Sequence, residues 1–76
     1  MRTKSVKMSK WFENQRVAFI AEMLHIYGFI NREHLMRKFN ISQPQASKDL
    51  KSFEQRSSGS MKYNLSTKRY ERTNHD

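Results

Sequence analysis

Apolar residues recur at helical spacing along the first third of the chain. The repeating positions are Phe12, Phe19, Ile20, Met23, Leu24 and Tyr27. This spacing predicts an amphipathic helix of about 18 residues with one buried stripe. Ser9 is a suitable N-cap for this helix, and Gly28 follows its last apolar residue as a C-terminal glycine commonly does. Residues 1–8, which carry three basic residues and no acid, are predicted to form a flexible basic arm.

A short strand and a short helix are predicted next. Phe29 and Ile30 are too few apolar residues to form a helix, so we interpret them as a short strand. Asn31 is a favourable N-cap for a helix over residues 32–38. Ile30 before the cap and Leu35 after it have the spacing of a hydrophobic staple, which predicts that both are buried.

The third helix has the clearest start signal in the sequence. Ser42 and Gln45 have the spacing of a capping box, and Pro44 lies in the first turn, where its missing amide hydrogen is no loss. The helix is predicted to continue to about residue 55. Its buried face is predicted to contain Ala46, Leu50 and Phe53.

Two short alternating segments near the end of the chain predict a β-hairpin. Residues 61–63 and 68–70 alternate, and the four residues between them are typical of a turn. The predicted fold class is therefore mainly α with a small β-hairpin. In this arrangement, a winged helix-turn-helix, three helices are followed by a wing. One domain is predicted over residues 9–72, followed by a frayed tail over residues 73–76.

Charge narrows the possible partners. Fifteen Lys and Arg residues face seven Asp and Glu residues, which gives a net charge of +8 on 76 residues. Such a field favours a polyanion, with nucleic acid first and an anionic membrane surface second. The sequence contains no cysteine and no apolar run of the roughly 18 residues that a membrane span needs. We expect no enzyme activity, cofactor, metal site, membrane association or small-molecule ligand, and a cytoplasmic location.

The second helix of a helix-turn-helix enters the major groove of DNA with its N-terminal residues at the base edges. The predicted recognition residues are Ser42, Gln43, Gln45, Ser47, Lys48 and Lys51. Glutamine can pair with adenine, lysine can donate to guanine, and serine can serve several bases. The acidic residue in this helix, Asp49, is expected to face an Arg or Lys within the protein.

A second set of basic residues is predicted to bind phosphates. The wing residues of this set are Lys62, Lys68 and Arg69, and further backbone contacts are predicted for Arg32, Lys4 and Lys7. Phosphate contacts set position and affinity without choosing a sequence. The basic arm that contains Lys4 and Lys7 is either a DNA-binding tail or merely disordered, and both interpretations stay open.

The segments from Gly28 to Leu35 and from Phe39 to Leu50 resemble a known family. Together the two segments resemble the DeoR-like winged helix. More narrowly, they resemble the N-terminal domain of BrxR-type transcriptional regulators, in which a run similar to Ser-Gln-Pro-Gln-Ala-Ser-Lys-Asp-Leu at residues 42–50 opens the recognition helix. The resemblance covers roughly residues 12–71 and implies DNA binding by a winged helix. Family members continue into a WYL sensor domain, whereas this sequence stops after the wing, as a stand-alone regulator or a fragment.

Several functions are compatible with this fold, because fold alone does not fix function. The leading hypothesis is a sequence-specific regulator of transcription, a repressor, that binds an inverted repeat in double-stranded DNA as a homodimer. An architectural, excisionase-like or replication-initiation protein of a phage or mobile element is the alternative. RNA binding and a protein-interaction module are less favoured. The start of the first helix, with Trp11 and Phe12, is the predicted dimer surface.

Overall fold

A computed structural model describes the backbone of residues 2–57 and 59–73 and the side chains of residues 10–57 and 59–73. Its elements, in chain order, are α1 (Arg2–Ile26), β1 (Phe29–Ile30), α2 (Arg32–Phe39), α3 (Gln43–Arg56), β2 (Met61–Asn64) and β3 (Arg69–Arg72). Three helices and a small antiparallel sheet confirm the predicted fold class. The predicted tail lies outside the described residues, except for Thr73, whose backbone amide donates to the carbonyl of Ser60.

Helix α1 begins eight residues earlier than the sequence predicts. It starts at Arg2 rather than after Ser9, so the backbone of residues 2–8 is helical and not an irregular arm. These residues include no glycine or proline, and nothing in their sequence stops a helix from extending through them. The helix ends as predicted, because Gly28 adopts a φ of 84° and its amide donates to the carbonyls of Met23 and Leu24.

Helices α2 and α3 each begin at a side-chain N-cap, and a tight turn joins them. Asn31 caps α2 through its side chain, which accepts from the backbone amide of His34 at 3.1 Å. His34 returns the contact, since its Nδ1 accepts from the backbone amide of Asn31 at 3.2 Å. Helix α2 then ends at Asn40, which has a left-handed φ of 56°. The Ser42 side chain caps α3 by accepting from the amide of Gln45 at 3.3 Å.

The sheet places β3 in the middle, in the order β1-β3-β2. Both pairings are antiparallel, and Tyr70 of β3 lies opposite Ile30 on one side and Tyr63 on the other. Because opposite residues share a face, these three side chains and that of Met61 lie on the core side of the sheet. Strand β1 therefore ties the wing to the helices.

One hydrophobic core lies where the three helices meet the sheet. Its buried members are Ile20, Leu24, Ile30, Leu35, Ala46, Leu50 and Met61. They include Ile30 and Leu35, as the predicted staple requires, and Ala46 and Leu50 from the predicted buried face of α3. The two ends of the α1 stripe are exceptions, because Phe12 is 49% exposed and Tyr27 is 64% exposed. Helix α1 is longer than the body it packs against, so its apolar stripe extends past the core.

Within the described residues, no helix is long and apolar enough to cross a membrane.

Candidate nucleic-acid interface

Helix α3 presents two different long faces on either side of its buried stripe. One face, here called the α1-side face, consists of Gln45, Asp49 and Ser52, which line a groove together with Arg16 of α1. The other, here called the wing-side face, consists of Gln43, Ser47 and Lys51, spaced four residues apart. Ser47 lines a cleft that it shares with the wing. Lys48 lies on the exposed ridge between the two faces.

The α1-side face is tied to α1 by an ion pair. Arg16 Nε donates to Asp49 Oδ2 at 2.6 Å, and Arg16 Nη2 approaches Oδ1 at 3.4 Å. The exposed fraction of the Asp49 side chain is 9%, and that of Arg16 is 16%. Gln45 adds a third contact, since its Nε2 donates to Asp49 Oδ1 at 2.9 Å. The prediction that Asp49 faces a basic residue within the protein is confirmed, and Arg16 is that residue.

The side chain of Gln45 is engaged in a different contact from the one predicted. In a capping box it would accept from the backbone amide of Ser42, but only the Ser42 half of that box is formed. The amide nitrogen of Gln45 donates instead to the Asp49 carboxylate one turn later. A hydrogen bond to an ionised acceptor is stronger than one between neutral groups, which explains this choice.

The wing-side face, and Lys48 on the ridge beside it, carry no such internal contacts. Gln43, Lys48 and Lys51 are exposed and Ser47 is half-buried. None of the four side chains has a hydrogen bond or ion pair in the part of the chain that the structure describes. Their polar groups are therefore available to a partner.

A basic cleft separates the wing-side face from the wing. Its volume is about 190 Å³, and it is lined by Asn31, Arg32, Ser47, Tyr63, Lys68 and Tyr70. Arg32 and Lys68 are exposed cations on opposite walls, one at the start of α2 and the other in the wing. The structure thus places two of the predicted phosphate-binding residues beside the predicted recognition residue Ser47. The side chains of Lys4 and Lys7 lie outside those that the structure describes.

Lys68 lies in the turn of the wing, whereas the alternating pattern predicts it at the start of a strand. It adopts a left-handed φ of 57°, and its backbone amide donates to the carbonyl of Asn64 at 2.7 Å. The side chain of Asn64 closes the same turn, since its Oδ1 accepts from the amides of Ser66 and Thr67 at 2.8 and 3.3 Å. An asparagine that accepts from amides two and three residues ahead is a common turn former, so β2 extends to Asn64 and the turn shifts by one residue.

Arg69 lies on the outer face of the sheet, where it has partners within the protein. Its Nε donates to Glu71 Oε2 at 3.0 Å, and its guanidinium lies 4.0 Å from the centre of the Phe29 ring. Hydrogen bonds from Asn64, Arg69 and Thr67 lower the pKa of the Glu71 carboxyl below its usual 4.5. Lys62, by contrast, is exposed and lies opposite Glu71 in the register of the hairpin.

Two further side chains, His34 and Tyr70, have shifted pKa values. Burial lowers the pKa of His34 below its usual 6.5, and the nearby charge of Arg37 lowers it further, while Glu33 opposes both. The neutral form of His34 is the one that can accept from the backbone of Asn31. Burial, together with the charge of Glu54, raises the pKa of the Tyr70 hydroxyl above 10.0, so this hydroxyl stays protonated.

Sequence reasoning missed three residues that shape this site: Arg16, His34 and Glu71. Arg16 had no local signal, because its partner is 33 residues away. His34 occupies the N3 position after Asn31, where a glutamine or glutamate is the usual signal. Among the described residues, no cluster of histidine and carboxylate side chains is suitable for a metal. His75 lies outside them.

Residues 13–75 match the family model of the BrxR transcriptional regulator winged helix-turn-helix domain. The chain is also 36% identical over 70 residues to the DNA-binding transcriptional repressor CapW of Stenotrophomonas maltophilia. The aligned segment covers 92% of this chain and 23% of that protein. A repressor of the same name from Escherichia coli (strain KTE188) is 35% identical over 65 residues, covering 86% and 22%. The chain spans less than a quarter of the length of these relatives. On the extent of the family match, it belongs to the BrxR-type winged helix-turn-helix domains.

Proposed function

We propose that this protein is a non-enzymatic, sequence-specific binder of double-stranded DNA that acts as a transcriptional repressor. The observation that carries the proposal is the unpaired polar and basic wing-side face of α3 beside a cleft with two more cations. Family membership supports the same assignment, and the similar repressors named CapW are described as DNA-binding.

In this proposal the wing-side face enters the major groove. Gln43 and Ser47 contact base edges, where a glutamine can pair with adenine and a serine can serve several bases. Ser42, at the start of the helix, lies close enough to join them, although capping already occupies its hydroxyl as an acceptor. Lys48 and Lys51 reach either guanine or the flanking phosphates.

The basic residues around the cleft contact the phosphates of the DNA backbone. Arg32 and Lys68 clamp one strand from the two walls of the cleft, while Lys62 extends the basic surface along the wing. Arg69 contributes less, because Glu71 and Phe29 already hold its guanidinium. Lys4 and Lys7 add charge at the start of α1. These contacts give affinity for any duplex and hold α3 in register.

Selectivity for duplex DNA tests the proposal. A preferred duplex is first selected from random sequences, and its affinity is compared with that of single-stranded DNA and duplex RNA of the same sequence. We expect the duplex DNA to bind most tightly, because the deep, narrow groove of RNA does not admit a helix. Equal or tighter binding to either of the other two would rule the proposal out.

We further propose that two copies bind an inverted repeat. A single short recognition helix covers few base pairs, whereas two copies bind half-sites about 34 Å apart. Trp11 and Phe12 are 52% and 49% exposed, and their rings meet edge to face with centroids 5.0 Å apart. An exposed pair of large aromatic side chains on a long helix is suited to a contact with a second copy.

Sedimentation of the protein with and without its selected duplex tests this part separately. A complex of two chains on a palindromic site is expected, and Trp11→Ala should weaken it without changing the base preference. A complex of one chain on a site without symmetry would contradict dimer binding and leave the assignment of DNA as the partner intact.

A further inference from the structure

Asp49 joins α3 to α1 through every acceptor it has. Oδ2 accepts from Arg16 Nε, and Oδ1 accepts from Gln45 Nε2 and lies within 3.4 Å of Arg16 Nη2. Among the described residues, Asp49 is the one buried charged side chain. A carboxylate of this kind is stabilised only while its partners keep it paired and hydrogen-bonded, so the three side chains act as a unit.

This unit fixes the amide of Gln45 in one orientation. A carboxylate can only accept hydrogen bonds, so the nitrogen of the Gln45 amide must face it and the oxygen cannot. The side chain is thereby drawn towards Arg16 and the groove between α1 and α3. The cleft that α3 shares with the wing has Ser47 in its lining and not Gln45.

This contact restricts the rotation of α3 about its own axis. Along its buried stripe, the helix offers the apolar side chains of Ala46, Leu50 and the partly buried Phe53, and the hydrophobic effect that buries them is non-directional. The Arg16–Asp49 pair has hydrogen-bond geometry, which is directional. Side chains that bind bases must be placed to within about 0.5 Å, so a small rotation of α3 would misplace the whole wing-side face.

We propose that Arg16, Asp49 and Gln45 form a positioning network that sets the rotation of α3, so that the wing-side face meets the bases while Gln45 itself contacts no DNA. This inference rests on the proposed function and refines it. It changes the role of Gln45, which the sequence alone had marked as a recognition residue. The three residues determine specificity through Gln43 and Ser47.

The test measures affinity for the selected duplex and for every single-base-pair change in it. Gln45→Met keeps the size of the side chain but removes its donor, Asp49→Asn removes the charge of the acceptor, and Gln45→Lys restores a donor at position 45. Glu22→Gln is the matched control, because it makes the same change of acid to amide and of net charge at an exposed position on α1. Unfolding curves first establish the temperature at which every variant is folded.

The network predicts a shared loss of discrimination. Gln45→Met and Asp49→Asn should each reduce the preference at all the contacted base pairs together, by about threefold to tenfold. Gln45→Lys should keep the wild-type base preference, because the lysine restores a donor to the network. Its added charge should strengthen binding to all duplexes alike. Glu22→Gln should leave the preference unchanged.

Two results would overturn the inference. If Gln45→Met lost discrimination at only one or two base pairs, and Gln45→Lys changed the preferred base there, Gln45 would be a direct contact. If folded Gln45→Met discriminated as well as the wild type, the network would serve stability alone. Neither result would affect the proposed function, which fails if the wild-type protein prefers no duplex over random DNA or binds single-stranded DNA or duplex RNA as tightly as its selected duplex. Should Asp49→Asn not fold, the two Gln45 variants decide the question by themselves.

Discussion

The two long faces of α3 carry similar residue types and are used in opposite ways. On the α1-side face, a glutamine and a serine flank Asp49, and the glutamine is bonded to that buried acid. On the wing-side face, a glutamine and a serine precede Lys51, and neither has a partner within the described residues. Placement relative to α1, rather than residue type, therefore separates Gln45, which holds the helix, from Gln43, whose polar groups have no partner within the described residues.

The two faces differ because their polar groups differ in access to water. The Asp49 carboxylate on the α1-side face is buried, so it must find partners within the protein or lose the hydrogen bonds that water would give. The wing-side face opens onto the cleft and keeps its water until a partner displaces it. In the proposed function, one side of this single helix serves stability and the other serves binding.

The largest expected effect is on stability and concerns the α1-side face. Asp49→Ala should lower the free energy of unfolding by about 2–3 kcal/mol, because it leaves Arg16 and Gln45 without their shared acceptor. Lys51→Ala, on the wing-side face, should change it by less than about 0.5 kcal/mol. Urea unfolding of the two variants measures both values. Equal stability of the two would show that the faces do not differ in this way.

The next largest effect concerns base preference. Gln43→Ala should cost about 1–3 kcal/mol on the preferred duplex, and much less on random DNA, because a bidentate base contact is lost while the phosphate contacts remain. The affinities of the variant for both duplexes give this difference. A uniform loss on both would instead place Gln43 at a phosphate.

The two neighbouring wing cations should also behave differently. Lys68→Ala should weaken all duplexes alike and reduce the slope of log affinity against log salt by about 0.9, the value for one phosphate contact. Arg69→Ala should leave that slope nearly unchanged and lower the free energy of unfolding by about 1 kcal/mol, because its contacts are with Phe29 and Glu71. DNA titrations at several salt concentrations measure the salt slope of each variant, and unfolding curves measure its stability. A reduced slope for Arg69→Ala, or a loss of stability for Lys68→Ala alone, would reverse the two roles.

The smallest effect is a pH dependence at the start of α2. The pKa of His34 is lowered in the folded protein, so its contribution to stability is complete above the unfolded value of 6.5 and is lost as the pH falls through the lower, folded value. Protonation removes the acceptor for the backbone amide of Asn31. His34→Gln keeps an acceptor at this position of the capping box and should flatten the decline. An unchanged decline in unfolding free energy would assign it to other groups.

Much of the fold could be predicted from local signals. Asn31, Ser42 and Gly28 mark helix ends through bonds that span only a few residues, and the spacing of Ala46 and Leu50 marks the buried face of α3. These signals lie within a turn or two of the structure that they predict. The start of α1 was harder, because Ser9 can cap a helix but nothing before it prevents the helix from continuing.

The site was less predictable, because its decisive contacts join distant segments. The partner of Asp49 lies in another helix, and only the folded chain shows that Arg16 fills this role and that Gln45 joins it. Arg69 likewise differs from Lys68 through Phe29, which reaches the wing by way of β1. Sequence alone predicted that α3 and the wing form the site, but it could not say which of their polar residues already have partners within the fold.

The central claim is that duplex DNA covers the wing-side face of α3 and leaves the α1-side face alone. Ser47 and Ser52 are a matched pair for this test, since both are half-buried serines of α3 on opposite faces and the chain has no cysteine of its own. Ser47→Cys and Ser52→Cys would each carry a single thiol, whose rate of alkylation is measured with and without saturating duplex. We predict that the duplex slows alkylation at position 47 and leaves that at position 52 unchanged. Protection at position 52 alone would contradict the account.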